Sequence, residues 1–133
     1  MVKWFSIRHE DDPVILDHGY LQRLGKHIGE RETRELLADG MLDLTDRLAV
    51  LRRHGEDGNL KGVADLVHEI AGAAGHQGLT AMSHAAFEAS RLVRENTDPD
   101  TDALAKLVLQ YQDASLTALS QFCNGPSGDD VDG

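Results

Sequence analysis

Between residues 30 and 54, Leu37, Met41, Leu44, Leu48 and Leu51 recur at spacings of four and three, while Asp39, Asp46 and Arg53 fall on the other side. That is the period of a helix with one buried stripe, and it predicts the longest element of the chain. A shorter helix is predicted before it, from about Asp17 to Lys26, with Asp17 as N-cap, Leu21 and Leu24 on one side and Gly29 as the stop. The cluster Gly55-Glu56-Asp57-Gly58-Asn59 predicts a turn with two candidate N-caps. After it, Val63, Leu66, Ile70, Ala73 and Ala74 form the stripe of a helix running to about His76. Gly78 interrupts, Thr80 can cap, and Met82, Ala85, Ala86, Ala89 and Val93 supply a narrow stripe of mostly small residues. Asp98 directly before Pro99 predicts the start of a last helix, with Leu104, Val108, Tyr111, Ala118 and Phe122 inside and its end near Cys123.

Four amphipathic helices on short connections are buried most economically as an up-down-up-down four-helix bundle, with the short first helix covering one end. The expected fold class is therefore all-α, and the predominance of Leu and Ala over Val, Ile and Thr agrees. The division expected is an N-terminal arm over 1–13, a bundle over 14–123 and an acidic, disordered tail over 124–133. The arm mixes Trp4 and Phe5 with the run Arg8-His9-Glu10-Asp11-Asp12, and the tail is rich in turn formers and Asp.

A formal charge of −10 at pH 7 repels phosphate backbones and anionic lipid heads, so neither nucleic acid nor a membrane is an expected partner. The lone Cys123 has no internal disulfide partner, and no charged-then-apolar leader marks the N-terminal residues; a cytoplasmic location is expected. No paired-carboxylate motif, phosphate-binding glycine loop, Cys-x-x-Cys or nucleophile elbow argues for a free-standing enzyme.

One helical face departs from the structural pattern. At about 100° per residue, His68 lies roughly 180° from the Leu66 and Ile70 stripe. Its neighbours at three-, four- and seven-residue spacing are Ala64, Asp65, Ala71, Gly72 and Gly75, and the only long side chains nearby are Lys61 and Glu69. Two glycines inside a helix cost about 0.8–1 kcal/mol each relative to Ala, so helix stability does not explain them. A bare face around one imidazole suits a nucleophile that a large rigid partner must reach, and neutral imidazole offers a nucleophilic nitrogen at pH 7. The competing structural reading is that the glycines let a neighbouring helix pack close and that His68 is an ordinary surface residue.

The segment His68-Glu69-Ile70-Ala71-Gly72-Ala73-Ala74-Gly75-His76-Gln77-Gly78 resembles the signature of histidine-containing phosphotransfer (HPt) domains, usually His-x-Leu-Lys-Gly-Ser-Ala-x-x-x-Gly. His68, Ile70, Gly72, Ala74 and Gly78 match in register. The resemblance extends to Leu16-Asp17, Gly29 and Glu35-Leu36-Leu37, and covers roughly residues 14–122. It implies a phosphocarrier without autonomous turnover, in which His68 takes a phosphoryl group through Nε2 from the aspartyl phosphate of a receiver domain and passes it to another. Implied partners are response-regulator receiver domains or a hybrid histidine kinase, met by a monomer. No cofactor is expected to be bound, because Mg²⁺ comes with the receiver. Gly72 would leave room for the phosphoryl group, and Lys61, Ala64, Asp65, Ala71 and Gly75 would belong to the docking surface. On the next helix Ser90 occupies the place of a frequent polar partner of the histidine, with Arg94 one turn on.

The family's usual Lys three residues after the histidine is Ala71 here, which removes a cation beside a dianionic phosphoryl group. Lys61, Arg91 and Arg94 are the candidate replacements. The same departure leaves open a second expectation, an adaptor or inhibitor that keeps the fold without relaying phosphate. Phe87, Arg91 and Arg94 read either as a solvated face or as part of a docking rim. A third reading, a metal-binding bundle, rests on the even spacing of His68, His76 and His84. Eight residues advance a helix by about 80° beyond two turns, so that spacing implies no shared site, and no metal is expected.

Overall fold

A computed structural model describes residues 13–125. The expected arm before Pro13 and the expected tail after Gly125 lie outside the described residues. Among the described residues every regular element is a helix: α1 (His18–Ile28), α2 (Glu30–Glu56), α3 (Leu60–His76), α4 (Thr80–Glu95), α5 (Thr101–Leu109) and α6 (Gln112–Asn124). Leu37, Leu44, Leu48 and Leu51 of α2 are buried, with Met41 packed at their edge, so the expected stripe is the observed one. They meet Val63, Val67, Ile70 and Ala74 of α3, Met82, Ala86 and Ala89 of α4, and Leu104, Val108 and Leu119 of α5 and α6 in one core, where α5 and α6 together take the place of the fourth helix of a bundle. None of the helices is long and apolar enough to cross a membrane among the described residues.

The first helix begins where expected: Asp17 Oδ1 accepts the Tyr20 N–H at 3.0 Å and Gly29 closes it at φ +100°. Leu21 anchors it in the core. It covers the bundle end that holds the α3–α4 turn. The Tyr20 hydroxyl donates to the His76 carbonyl at 2.9 Å, and the Asp17 N–H donates to the Gly78 carbonyl at 2.8 Å. Gly78 sits at φ +74°, and a Cβ there would stand 3.2 Å from the Tyr20 ring, so both conformation and space favour glycine.

Of the two candidate caps before α3, Asn59 is the one used. Its Oδ1 accepts the Gly62 N–H at 3.0 Å, and its Nδ2 faces His54 Nδ1 at 3.1 Å. Because an amide nitrogen only donates, this arrangement makes His54 Nδ1 the acceptor.

The structure corrects the sequence expectations at three boundaries. The last helix starts at Thr101, not at Pro99, and its cap is Asp100, whose Oδ1 accepts the Ala103 N–H at 3.1 Å, in place of Asp98. That helix is also two, broken at Gln110 and Tyr111, and α6 continues through Asn124 into the segment expected to be tail. Thr80 is the first residue of α4 rather than its cap; its hydroxyl turns back to the Gly78 carbonyl.

Candidate functional site

Burial on α3 is centred on Val63, Val67, Ile70, Ala71 and Ala74, whereas Leu66 and Ala73 are half-buried. The inner face is therefore turned toward Ala71 relative to the expected stripe. On that side lies α4, whose Ser83 reaches the Ala71 carbonyl and whose Ala86 and Ala89 share the buried core with Ala71. Ala71 is 2% exposed, so its methyl group cannot belong to a docking surface, and that expectation is withdrawn.

His68 remains outside this buried arc and is exposed. Beside it Lys61, Asp65, Gly72 and Gly75 are exposed and Ala64 is half-buried. The two glycines separate here. A Cβ at Gly75 would stand 3.3 Å from Ser83 Oγ of α4, so Gly75 serves the close α3–α4 approach, as the structural reading held. A Cβ at Gly72 would meet nothing within 4 Å, so nothing inside the fold requires glycine there. Its bareness is a property of the surface around His68.

The α3–α4 register is fixed by Ser83, a buried residue that the sequence reading passed over. Its hydroxyl donates to the Ala71 carbonyl at 2.9 Å. Since the two helices run antiparallel from this point, going back three residues along α3 from Ala71 to His68 corresponds to going forward three along α4 from Ser83 to Ala86, with Phe87 and Ser90 one and four residues beyond that level. Helical side chains lean toward the N-terminus of their own helix, which carries His68 toward the level of Ala64 and Arg94 toward that of Ser90. Phe87, 58% exposed, half-buried Ser90 and exposed Arg94 lie on α4, the helix packed against the one that carries His68.

The three candidate cations are differently committed. Arg91 bonds both Glu88 and Glu95, the latter at 2.6 Å. Those bonds hold the Arg91 guanidinium above, and the Glu88 carboxyl below, their ordinary ranges, with the hydrogen bond the leading cause in each. Lys61 Nζ is 3.2 Å from Asp65 one turn on. Arg94 donates from Nη1 to Ser90 Oγ at 3.2 Å and makes no ion pair among the described residues.

Among the described residues no three His, Cys, Asp or Glu side chains gather so as to hold a metal ion. His76 and His84 are exposed, and neither joins His68 in such a group. A cavity of about 520 Å³ lies between α1, α2 and α6, lined by Leu21, Lys26, Arg34 and Phe122, with no α3 residue in its wall. The His68 face is instead open surface, suited to a partner rather than to an enclosed small molecule.

Comparison with known proteins agrees with this geometry. The family model for the Hpt domain matches residues 35–123, which holds most of α2, all of α3, α4 and α5, and α6 up to Cys123. No curated protein and no solved structure matches the chain.

Proposed function

Because the chain belongs to the Hpt domain family, in which a histidine carries phosphoryl groups in two-component signalling, we propose that His68 is the phosphoacceptor of this chain and relays phosphate between receiver domains. The observation that carries the reading is the pairing of exposed His68 with Gly72, one turn on, where no packing demand excludes a side chain.

In the transfer, the Nε2 lone pair of a neutral imidazole attacks the phosphorus of the receiver's aspartyl phosphate. A P–N bond forms, the P–O bond to the aspartate breaks, and the aspartate leaves as carboxylate while the ring keeps its Nδ1 proton. Return to a second receiver reverses these bonds. The chain contributes the nucleophile and a face that admits the donor, and the receiver contributes Mg²⁺. Hence the chain acts as a carrier without turnover of its own, in the cytoplasm, where receivers and hybrid kinases present their phosphorylated domains.

The cation missing at Ala71 is supplied in this reading by Arg94. Arg91 is held by two carboxylates and Lys61 by one, whereas Arg94 rests on a neutral hydroxyl that a phosphoryl oxygen can displace. Lys61, Ala64, Asp65, Gly72, Gly75, Phe87, Ser90 and Arg91 make the rest of the docking face.

The test is a relay with two receivers. Substoichiometric chain should carry label from a phosphorylated receiver to an unphosphorylated one, and the His68→Gln chain should not. Receiver binding that persists with His68→Ala, while the unaltered chain itself never takes up phosphate, would favour the adaptor function instead.

A further inference from the structure

Two carboxylates flank the phosphoacceptor in sequence, Asp65 three residues before it and Glu69 one residue after it, on a chain that already carries −10. Asp65 is answered within its own helix by Lys61 at 3.2 Å. Glu69 is answered from another helix. Arg47 of α2 bonds Glu69 through Nη1 while its Nε is held by Asp43 at 2.9 Å.

The Arg47 side chain is 32% exposed and that of Glu69 51%. Exposed pairs of this kind contribute little to stability, so the fold does not depend on the bridge. What the bridge fixes is the direction of a charge. With its guanidinium anchored on Asp43, Arg47 draws the Glu69 carboxylate toward α2 and neutralises it there. Without Arg47, an unpaired carboxylate would stand within about a Debye length of the incoming dianion, and a docking receiver would have to cover it.

We propose that Arg47 is a positioning residue for phosphotransfer, holding Glu69 against α2 so that the face around His68 stays open to a phosphorylated donor. The proposal rests on the assignment of His68 as phosphoacceptor and extends it to a residue of a different helix.

The experiment compares transfer rates from a phosphorylated receiver for wild type, Arg47→Ala, Glu69→Gln and the double variant, with His68→Gln as blank. One unscreened charge at that range slows Arg47→Ala roughly three- to tenfold at low ionic strength, and the deficit shrinks as salt is raised. Glu69→Gln, which breaks the same bridge without baring a charge, transfers at the wild-type rate or faster, and adding it to Arg47→Ala recovers the part of the loss that the bared Glu69 causes, Asp43 being bared in both. Equal slowing in Arg47→Ala and the double variant would show a structural effect and overturn the proposal, as would an Arg47→Ala rate equal to wild type. If the wild-type chain takes no more label than His68→Gln, the phosphoacceptor assignment itself falls, which the blank separates from the other two results.

Discussion

The Ser83 hydroxyl donates to the carbonyl of Ala71, three residues after His68, across a buried 2.9 Å contact between α4 and α3. This bond couples the helix that carries the histidine to the helix that carries Ser90 and Arg94. Ser83→Ala removes one buried hydrogen bond and should cost roughly 1–2 kcal/mol in urea unfolding. Ser83→Val, which also crowds Gly75, should cost more. An unchanged unfolding midpoint for both would show that the register is held elsewhere.

Gly72 and Gly55 should respond oppositely to the same methyl group. Gly72→Ala meets only open space and relieves a helix-interior glycine, so it should stabilise the chain by about 0.5–1 kcal/mol. Gly55→Ala puts a Cβ 2.7 Å from that of Ala105 on α5 and should destabilise by about 1–3 kcal/mol. Thermal unfolding of the two variants decides this. Gly72→Gln should keep at least wild-type stability yet slow phosphotransfer by about tenfold, the result of overpacking a docked interface by about 1.4 kcal/mol.

The Glu88 carboxyl is held below its ordinary range by the hydrogen bond from Arg91. A group whose folded pKa is depressed stabilises the fold above its unfolded pKa and loses that contribution as pH falls through the lowered value. Carbon-detected NMR titration should therefore place the Glu88 carboxyl below the ordinary glutamate range, and Arg91→Gln should return it there. An ordinary glutamate titration of Glu88 in the wild-type chain would show that Arg91 is not committed to it, and would return Arg91 to the candidates for meeting the phosphoryl group.

Much of this architecture was legible because local chemistry decided it. Asp17 could cap only one helix, Gly29 had to stop it, and the leucines of α2 admitted one buried face. What escaped was decided by neighbours. Asp98 and Asp100 are equally good caps flanking one proline, and only the packed end of α5 selects the second. The break at Gln110 and Tyr111 has no Gly or Pro to announce it. The burial of Ala71 depends on how closely α4 lies, which the small residues of α4 permit but do not dictate from sequence. His68 and the bare Gly72 were visible as a face without internal purpose. Ser83 and Arg47 were not, because their partners Ala71 and Glu69 lie on other helices and the relation exists only once the interhelical register is known.

Phosphate carried on His68 has a chemical signature, read from the label left on the chain after incubation with a phosphorylated receiver and Mg²⁺. The expected label is a phosphoryl group that survives base, is lost in acid, maps to His68 and is absent from His68→Gln. An acid-stable label, or full labelling of His68→Gln, or no label from receivers that phosphorylate another phosphotransfer protein, would contradict it.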